Sequence, residues 1–263
     1  MRIVRDLPYS ATHSETRVLD LYLPDGNGNG RCILWIHGGG WRGGRRASWR
    51  RPAALFCGEG YVCASADYRL APAWRFPCHV DDVRLAMAYA RTRADDLGFR
   101  ADNIAAIGSS AGAHLVSMLA TTGLEDCAEG AVGDTRPNAV VAISTPTTFM
   151  DTDAQNEKLR PHLEHFLGCT LSEDPQRYKT ASPLERVSGA EPPFLLLHGD
   201  EDPLIPLSHS LRMRDKLLAA GVHAELAILS GAKHGFPYGI DSPHQQETIA
   251  HVRRFLDQVF TGR

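Results

Sequence analysis

The stretch that decides the fold is Ile104-Ala105-Ala106-Ile107-Gly108-Ser109-Ser110-Ala111-Gly112-Ala113-His114-Leu115. A short apolar run enters a turn of small residues, and a run with the period of a helix leaves it. The central five residues fit the pattern Gly-x-Ser-x-Gly, in which a sharp turn between a strand and a helix holds a serine in a strained conformation. The following helix directs the unpaired N–H groups of its N-terminus towards negative charge beside the serine. The stretch therefore predicts a strand, a tight turn that carries Ser110, and a helix.

The composition is that of an ordinary globular protein and argues against several classes of partner. The chain has 263 residues, of which 43% are hydrophobic and 22% are charged, and its net charge is −3. This charge gives no reason to expect nucleic acid or an anionic membrane as a partner. No apolar run approaches the roughly 20 residues that a membrane span needs. Residues 1–23 alternate charged and apolar groups, unlike the apolar core of a secretion signal.

The cysteines are scattered, without a Cys-x-x-Cys pair that would indicate zinc or redox chemistry. The six positions are Cys32, Cys57, Cys63, Cys78, Cys127 and Cys169. Because the sequence shows no secretion signal, we expect reduced thiols in a cytoplasmic protein, with a disulfide among them as the alternative.

Apolar runs alternate with helix-period runs along almost the whole chain. Buried strands are predicted at 32–36, 61–66, 139–144, 194–198 and 224–229, and helices at about 52–59, 81–93, 207–220 and 245–260. Residues 17–23 alternate apolar and polar, which is typical of a half-exposed antiparallel strand. This order predicts an α/β fold for a single domain over residues 1–263, with a mostly parallel sheet and helices on both faces.

Two segments interrupt this alternation. Residues 123–137 are polar and contain glycine, so they are predicted to form a loop. From about 145 to 186, apolar residues stand among charged residues and prolines. We predict that this second segment is a small, mostly helical, cap-like insert that lies over the ends of the strands.

A glycine loop, His37-Gly38-Gly39-Gly40-Trp41, directly follows the strand predicted at 32–36. Acyl transfer develops negative charge on a carbonyl oxygen, and backbone N–H groups without side chains in the way approach such an oxygen closely. A flexible turn and a phosphate-binding loop are the alternatives. No Lys-Ser/Thr pair follows as in a P-loop, and the spacing does not fit the dinucleotide fingerprint. In parallel sheets such chemistry gathers at the carboxyl ends of the strands, where Ser110 and His234 are also predicted to lie.

Taken together, the motifs resemble those of the α/β-hydrolases, and within them the hormone-sensitive-lipase-like esterases. The matching blocks are His37–Trp41, Asp67–Pro72, Gly108–Gly112, His198–Pro206 and Lys233–Phe236. We expect no counterpart of the long amino-terminal cap helices of that lipase-like family within these residues. The compact layout is more similar to small bacterial carboxylesterases of the feruloyl or acetyl-xylan esterase type, and to kynurenine formamidases.

The predicted catalytic groups are a serine, a histidine and an acid. Ser110 is the candidate nucleophile, and its hydroxyl needs a general base within hydrogen-bonding reach. His234 is the candidate base, because it follows the last strand and because Ser, acid, His is the chain order of this fold. Asp200, Glu201 and Asp202 compete for the acid. The resemblance implies Asp202, the fifth residue of the pattern His-Gly-x-x-Asp, with Asp200 as the alternative.

The other predicted site residues form the oxyanion hole, line the substrate pocket or support the catalytic groups. The backbone N–H groups of Gly39, Gly40 and Ala111 are expected to form the oxyanion hole, and Gly38 is the alternative if the register shifts by one residue. Candidates for the substrate pocket are Trp41, Phe149, Phe166 and Phe236. Supporting roles are expected for His198 at the acid turn, for His37 at the glycine loop, for His114 in packing, and for Asp67 with Arg69 as a buried pair.

The resemblance implies a serine carboxylesterase that hydrolyses small to medium acyl esters through an acyl-enzyme, without a metal or an organic cofactor. The alternatives are an arylformamidase, a peptidase-like serine hydrolase, and a binding protein that keeps the fold but has lost a catalytic residue. We expect a small-molecule ester as the partner, no nucleic acid, no membrane span, and a monomer or homodimer.

Overall fold

In a computed structural model, which describes residues 1–123, 134–151 and 157–261, the β-strands form one eight-stranded sheet. The strands are β1 (Arg2–Pro8), β2 (Val18–Leu23), β3 (Gly30–Ile36), β4 (Val62–Ala66), β5 (Phe99–Ser109), β6 (Ala139–Ile143), β7 (Phe194–Gly199) and β8 (Ala224–Leu229). Their spatial order is β1-β2-β4-β3-β5-β6-β7-β8. The pairs β1–β2 and β2–β4 are antiparallel, and every other neighbouring pair is parallel. The carboxyl ends of β3 to β8 therefore share one edge of the sheet.

Helices connect most of the parallel strands. They are α1 (Arg50–Gly58), α2 (Cys78–Thr92), α3 (Ala94–Leu97), α4 (Ala111–Thr121), α5 (Arg160–Leu167), α6 (Pro175–Thr180), α7 (Pro183–Arg186), α8 (Ser208–Ala219) and α9 (Pro243–Thr261), and a 3₁₀ turn at Arg46–Trp49 precedes α1. Apolar residues of α2, α4 and α8 pack on one face of the sheet, and those of α1 and α9 pack on the other. The predicted fold, a mostly parallel sheet with helices on both faces, is confirmed.

Two strands differ from the sequence prediction. β1 was not predicted, because none of its seven residues is fully buried and three of them are charged, as an edge strand permits. It pairs with β2, with Ile3 opposite Tyr22. β5 begins at Phe99, where exposed polar residues precede the apolar run at 104–107.

The predicted insert over about 145–186 contains α5, α6 and α7. The core on the α4 side extends into it, since Phe149, Leu163 and Phe166 are buried in the same layer as the apolar residues of α4. Residues 124–133 of the predicted polar loop, including Cys127, and residues 152–156 of the insert lie outside the described residues. The five described cysteines are free thiols, as expected.

Candidate active site

Ser110 stands at the turn between β5 and α4, in the conformation that the sequence pattern predicts. Its backbone has φ 55° and ψ −121°, a region that costs a non-glycine residue of order 1–3 kcal/mol. Its N–H donates to the carbonyl of Ile143 on the neighbouring strand β6, at 2.8 Å. The turn is thus held by the sheet, which presents the Ser110 side chain at the carboxyl edge.

The flanking glycines are required because the turn brings backbone segments together. A Cβ on Gly108 would lie 2.7 Å from the N atom of Ala113 in α4. A Cβ on Gly112 would lie 2.5 Å from the carbonyl oxygen of His37. No side chain fits at these separations, so the serine turn and the glycine loop pack directly against each other through backbone atoms.

His234 connects Ser110 to Asp202. The Ser110 hydroxyl donates to His234 Nε2 at 2.9 Å, and His234 Nδ1–H donates to Asp202 Oδ2 at 2.7 Å. The Asp202 side chain is only 1% exposed, whereas that of His234 is 18% exposed. The arrangement gives the serine a base within hydrogen-bonding reach, and it gives that base an acid that fixes its tautomer.

Asp202 is held by its own turn. Its Oδ1 accepts the backbone N–H groups of Leu204 and Ile205, at 2.9 and 3.0 Å. Burial raises the pKa of Asp202, but the hydrogen bond from His234 and these two backbone bonds outweigh it and keep the pKa below its usual value. His198 supports the same turn as predicted, because its Nε2–H donates to the Ile205 carbonyl at 2.9 Å. The carboxylate is therefore charged and pre-oriented towards His234.

Asp200, the alternative acid, has another partner. Its side chain accepts the backbone N–H of Gly231 at 2.7 Å and so joins the end of β7 to the turn after β8. It is exposed, and its carboxylate has no recorded contact with His234. The geometry therefore favours Asp202, the choice that the family pattern implied.

The glycine loop is fixed at its start by two aromatic residues. The Gly38 N–H donates to the Tyr238 hydroxyl at 2.7 Å, so this amide is not available to a substrate. The His37 ring stacks on Tyr68, with centroids 4.3 Å apart, and its Nδ1 lies 2.8 Å from the Gly38 carbonyl oxygen. Within the described residues, the N–H groups expected in the oxyanion hole have no acceptor: Gly39, Gly40 and Ala111. Their role stays a prediction, and Gly38 is the weaker alternative.

The end of the glycine loop is fixed to both α4 and the insert. Trp41 has a positive φ of 58°, and its indole Nε1–H donates to His114 Nδ1 at 3.2 Å. His114 Nε2–H in turn donates to the carbonyl of Ala181, at 2.8 Å. Burial lowers the pKa of His114 to about 4, which keeps the ring neutral and Nδ1 free to accept. His114, expected only to pack, therefore links three elements through hydrogen bonds.

The predicted pair of Asp67 and Arg69 is wrong. Arg69 forms a buried ion pair with Asp82 of α2, with 2.8 Å between Nη2 and Oδ1. Asp67 instead binds Arg46, whose backbone N–H and guanidinium both donate to it. The two side chains are close in sequence, but the chain directs them to different partners.

A pocket of about 270 Å³ opens over Ser110 and His234. The residues around it are Gly39, Gly40, Trp41, Ser109, Ser110, Pro146, Leu159, His162, Leu204, His234, Gly235 and Tyr238. Three of the apolar walls, Pro146, Leu159 and Leu204, come from the insert or from the turn after Asp202. The pocket thus joins the strand ends to the insert.

The four aromatic residues predicted for the pocket lie in different places. Trp41 lines it. Phe149 lines a neighbouring cavity of about 500 Å³ within the insert. Phe166 does not line the pocket, because its side chain is fully buried and stacks on Trp41 with centroids 4.5 Å apart. Phe236 does not line it either, because it packs against the core on the α9 side of the sheet.

Tyr238 and His162 line the pocket but were missed from the sequence. Tyr238 lies four residues after His234 in the same loop, and this proximity was a usable signal. His162 is one of 12 histidines and lies in the insert, where no pattern distinguishes it.

A serine strained between a central parallel strand and its helix, and within reach of a histidine that follows the last strand, defines an α/β-hydrolase. Residues 19–217 match the model of the BD-FAE family, and the chain belongs to this family. The predicted resemblance to α/β-hydrolase esterases is confirmed.

Individual relatives agree with this assignment. The chain is 32% identical to Esterase LipC of Mycobacterium tuberculosis over 241 residues, which cover 88% of this chain and 59% of LipC. It is 28% identical to an ethyl acetate hydrolase of Pseudomonas putida, covering 89% of this chain and 75% of that one. The butyrate-bound esterase Est2 of the Planctomycetes species Thermogutta terrifontis superposes with a TM-score of 0.80 at 25% identity, covering 96% and 93% of the two chains. The chain spans little more than half the length of LipC and of two further mycobacterial relatives.

None of the helices in the described ranges is both long and apolar enough to cross a membrane. The cytoplasmic location and the monomeric or homodimeric state inferred from the sequence stay predictions.

Proposed function

We propose that this chain is a serine carboxylesterase that hydrolyses small to medium acyl esters. The observation that carries the proposal is the relay from Ser110 through His234 to Asp202, with hydrogen bonds of 2.9 and 2.7 Å. Membership of the BD-FAE family supports the same reaction class, since the related proteins described above are named as esterases.

The first half of the reaction transfers the acyl group to the enzyme. His234 Nε2 takes the proton of the Ser110 hydroxyl while Oγ attacks the ester carbonyl carbon. The carbonyl oxygen becomes negative and receives the free N–H groups of Gly39, Gly40 and Ala111. His234 then returns the proton to the leaving alcohol as the carbon–oxygen bond breaks, and Asp202 stabilises the imidazolium between the two proton transfers.

The second half releases the acid. Water enters in place of the alcohol, and His234 removes a proton from it as it attacks the acyl-enzyme. The resulting tetrahedral intermediate uses the same oxyanion hole, and its collapse expels Ser110 Oγ, which recovers its proton from His234. In both halves of the reaction the protons move between Ser110, His234, the substrate and the entering water, while Asp202 orients the imidazole.

The pocket supports substrates with short acyl chains. Its volume of about 270 Å³ has to hold the reacting carbonyl as well as part of the acyl or alcohol group. The ethyl acetate hydrolase and the butyrate-bound esterase carry short acyl groups in their names, and this chain resembles both. We therefore expect turnover to be highest for acetyl to butyryl esters.

The test is hydrolysis of p-nitrophenyl esters from acetyl to decanoyl by the wild type, Ser110→Ala and Ser109→Ala. Ser109→Ala is a matched control, because it removes a neighbouring hydroxyl that is fully buried. We expect Ser110→Ala to lower kcat by about 10⁵-fold or more, and Ser109→Ala to change it by less than about tenfold.

A parallel assay with N-formylkynurenine separates the esterase from an arylformamidase. A strong preference for the formyl amide would show that the substrate is an amide and not an ester, hydrolysed by the same catalytic residues. Ester turnover that survives Ser110→Ala, or an absence of turnover together with no labelling of Ser110 by a fluorophosphonate probe, would overturn the proposal.

A further inference from the structure

His162 is a polar side chain of the pocket that the proposed reaction does not use. It lies on α5 of the insert and faces the same cavity as Ser110 and His234. Its Nδ1 is buried, and no hydrogen-bond partner for it is present in the described part of the chain. By contrast, the polar atoms of Trp41 and Tyr238 in this cavity are engaged, with His114 and Gly38 respectively.

The His162 ring lies directly against the proposed oxyanion hole. A Cβ on Gly40 would stand 2.6 Å from His162 Nδ1, so the ring occupies the space that a side chain at position 40 would take. Gly40 also has a positive φ of 60°, which favours glycine. A substrate whose carbonyl oxygen reaches the Gly40 N–H therefore passes next to the imidazole.

The ring is neutral, and its proton belongs on the accessible nitrogen. Burial lowers the pKa of His162, and the neighbouring Arg42 and His165 lower it further. A neutral imidazole carries one N–H, and a buried N–H without an acceptor is unfavourable. Since Nδ1 is buried without a partner and Nε2 is accessible, the favoured tautomer presents Nε2–H as a donor.

The surroundings of this donor make it selective. Most of the other side chains of the pocket that lie outside the catalytic relay are apolar, with Pro146, Leu159 and Leu204 among them. In an apolar pocket, a donor that loses water without gaining an acceptor is penalised, and so the site discriminates between substrates that supply an acceptor and those that do not.

We propose that His162 is a specificity-determining residue whose Nε2–H donates to an oxygen of the substrate close to the scissile carbonyl. The substrate class is an ester with an ether or hydroxyl oxygen separated from the ester group by one or two carbon atoms, either in the acid, as in a hydroxy- or alkoxy-acid, or in the alcohol, as in a polyol. This inference rests on the proposed esterase function.

The experiment compares isosteric pairs of esters that differ by one oxygen in place of a methylene. p-Nitrophenyl methoxyacetate and p-nitrophenyl butyrate test the acid side, and 2-methoxyethyl acetate and butyl acetate test the alcohol side. Values of kcat/KM are measured for the wild type, His162→Phe, His162→Gln and His165→Phe. For each variant we take the ratio of kcat/KM for the oxygen-bearing ester to kcat/KM for the hydrocarbon ester of the same pair. Differences in the intrinsic reactivity of the two esters cancel when this ratio is compared between variants.

His162→Phe keeps an aromatic ring against Gly40 but removes the donor, and we expect it to lower kcat/KM about five- to tenfold for the oxygen-bearing ester of one pair. The hydrocarbon ester should change by less than about twofold. His162→Gln keeps an N–H donor and should recover part of the loss. His165→Phe alters the same helix at a histidine that does not line the pocket, and it should leave the ratio unchanged.

The outcomes separate the inference from the proposed function. A selective loss in the acid pair or in the alcohol pair supports the inference and identifies the side on which the oxygen lies. An equal loss for both members of each pair, or no loss at all, while hydrolysis still depends on Ser110, overturns the role of His162 alone. If the wild type hydrolyses none of the four esters, the proposed function and the inference fail together.

Discussion

The carboxyl edge of the sheet and the insert contribute to the same pocket in different ways. At the sheet edge, each reacting group is held by backbone atoms or by a hydrogen bond: Ser110 by Ile143, and Asp202 by two N–H groups of its own turn. The insert lines the pocket with Leu159 and His162, which are placed by helix packing. We therefore expect the sheet edge to set the chemistry and the insert to set which substrates reach it.

The helices that follow the sheet edge contact the insert partly through buried histidines. His114 of α4 donates to Ala181 of the insert. His209 of α8 accepts the backbone N–H of Thr147 at 3.1 Å. His79 of α2 packs against Phe166 of α5, with centroids 4.8 Å apart. The difference between the regions predicts that changes at the sheet edge affect the rate, whereas changes at these contacts affect stability and substrate selection.

The largest effect in this comparison is expected from Asp202→Asn at the sheet edge. Asparagine keeps the size of the side chain but lets its amide face His234 Nδ1, which disfavours the tautomer that accepts the Ser110 proton. We expect kcat to fall about 10⁴-fold, with the fold intact by circular dichroism.

Asp200→Asn is the matched control for this substitution. It lies two residues away and binds Gly231 instead of His234. We expect its kcat to stay within about threefold of the wild type. If Asp200→Asn lowers kcat as strongly as Asp202→Asn, the assignment of the acid from the 2.7 Å contact is wrong.

A smaller effect is expected from Tyr238→Phe, which tests the glycine loop. The substitution removes the hydroxyl that accepts the Gly38 N–H and leaves the ring in place. Because the next two amides are the proposed oxyanion donors, we expect kcat to fall about tenfold with KM nearly unchanged, a fraction of the 10²–10³-fold typical of losing a donor outright.

Tyr61→Phe provides the comparison for Tyr238→Phe. The Tyr61 hydroxyl also accepts one hydrogen bond, from Arg31, but it lies away from the pocket. We expect Tyr61→Phe to leave both kcat and KM unchanged. An increase of KM without a change of kcat in Tyr238→Phe would show that the tyrosine contacts the substrate directly and does not act through Gly38.

The sheet edge was largely predictable from the sequence because short motifs carry its constraints. Gly108 is required by a backbone contact with Ala113, a few residues away, and Gly112 is required by the carbonyl of His37 in the glycine loop, so each glycine marks a close approach of backbone segments. The choice of Asp202 needed the family pattern, since three acidic residues share that turn. The structure adds the hydrogen bonds that distinguish Asp202 from Asp200.

The pocket walls were not predictable, because they depend on contacts between distant segments. Phe166 and Phe236 are aromatic, as pocket residues often are. Tertiary packing buries Phe166 against Trp41 and places Phe236 against the core on the α9 side of the sheet. His162 reaches Gly40 across 122 positions of the chain, and no spacing rule reports such a contact. The pairing of Arg69 with Asp82 spans only 13 positions, but it was missed because Asp67 is a nearer acidic residue in the sequence.

The smallest effect concerns the contact between the two regions and is seen in stability. Burial lowers the pKa of His79 to about 3, and burial lowers the pKa of His114 and that of His209 to about 4. In the unfolded chain a histidine titrates near 6.5, so between about pH 6.5 and 4 the unfolded state binds more protons than the folded state. The free energy of unfolding therefore falls as the pH decreases, by up to about 1.4 kcal/mol per pH unit for each such histidine.

His79→Phe tests this prediction through the slope of the pH dependence. The variant keeps an aromatic ring beside Phe166 but removes one titrating group. We expect the free energy of unfolding, measured in urea between pH 7 and 4.5, to fall less steeply than that of the wild type, by about 1 kcal/mol per pH unit on average. Phe166→Leu alters the same contact without removing a titrating group, and its curve should run parallel to that of the wild type, about 1 kcal/mol lower. Parallel curves for both variants would mean that His79 does not resist protonation in the folded state, and that its contact with Phe166 contributes to stability through packing without a dependence on pH.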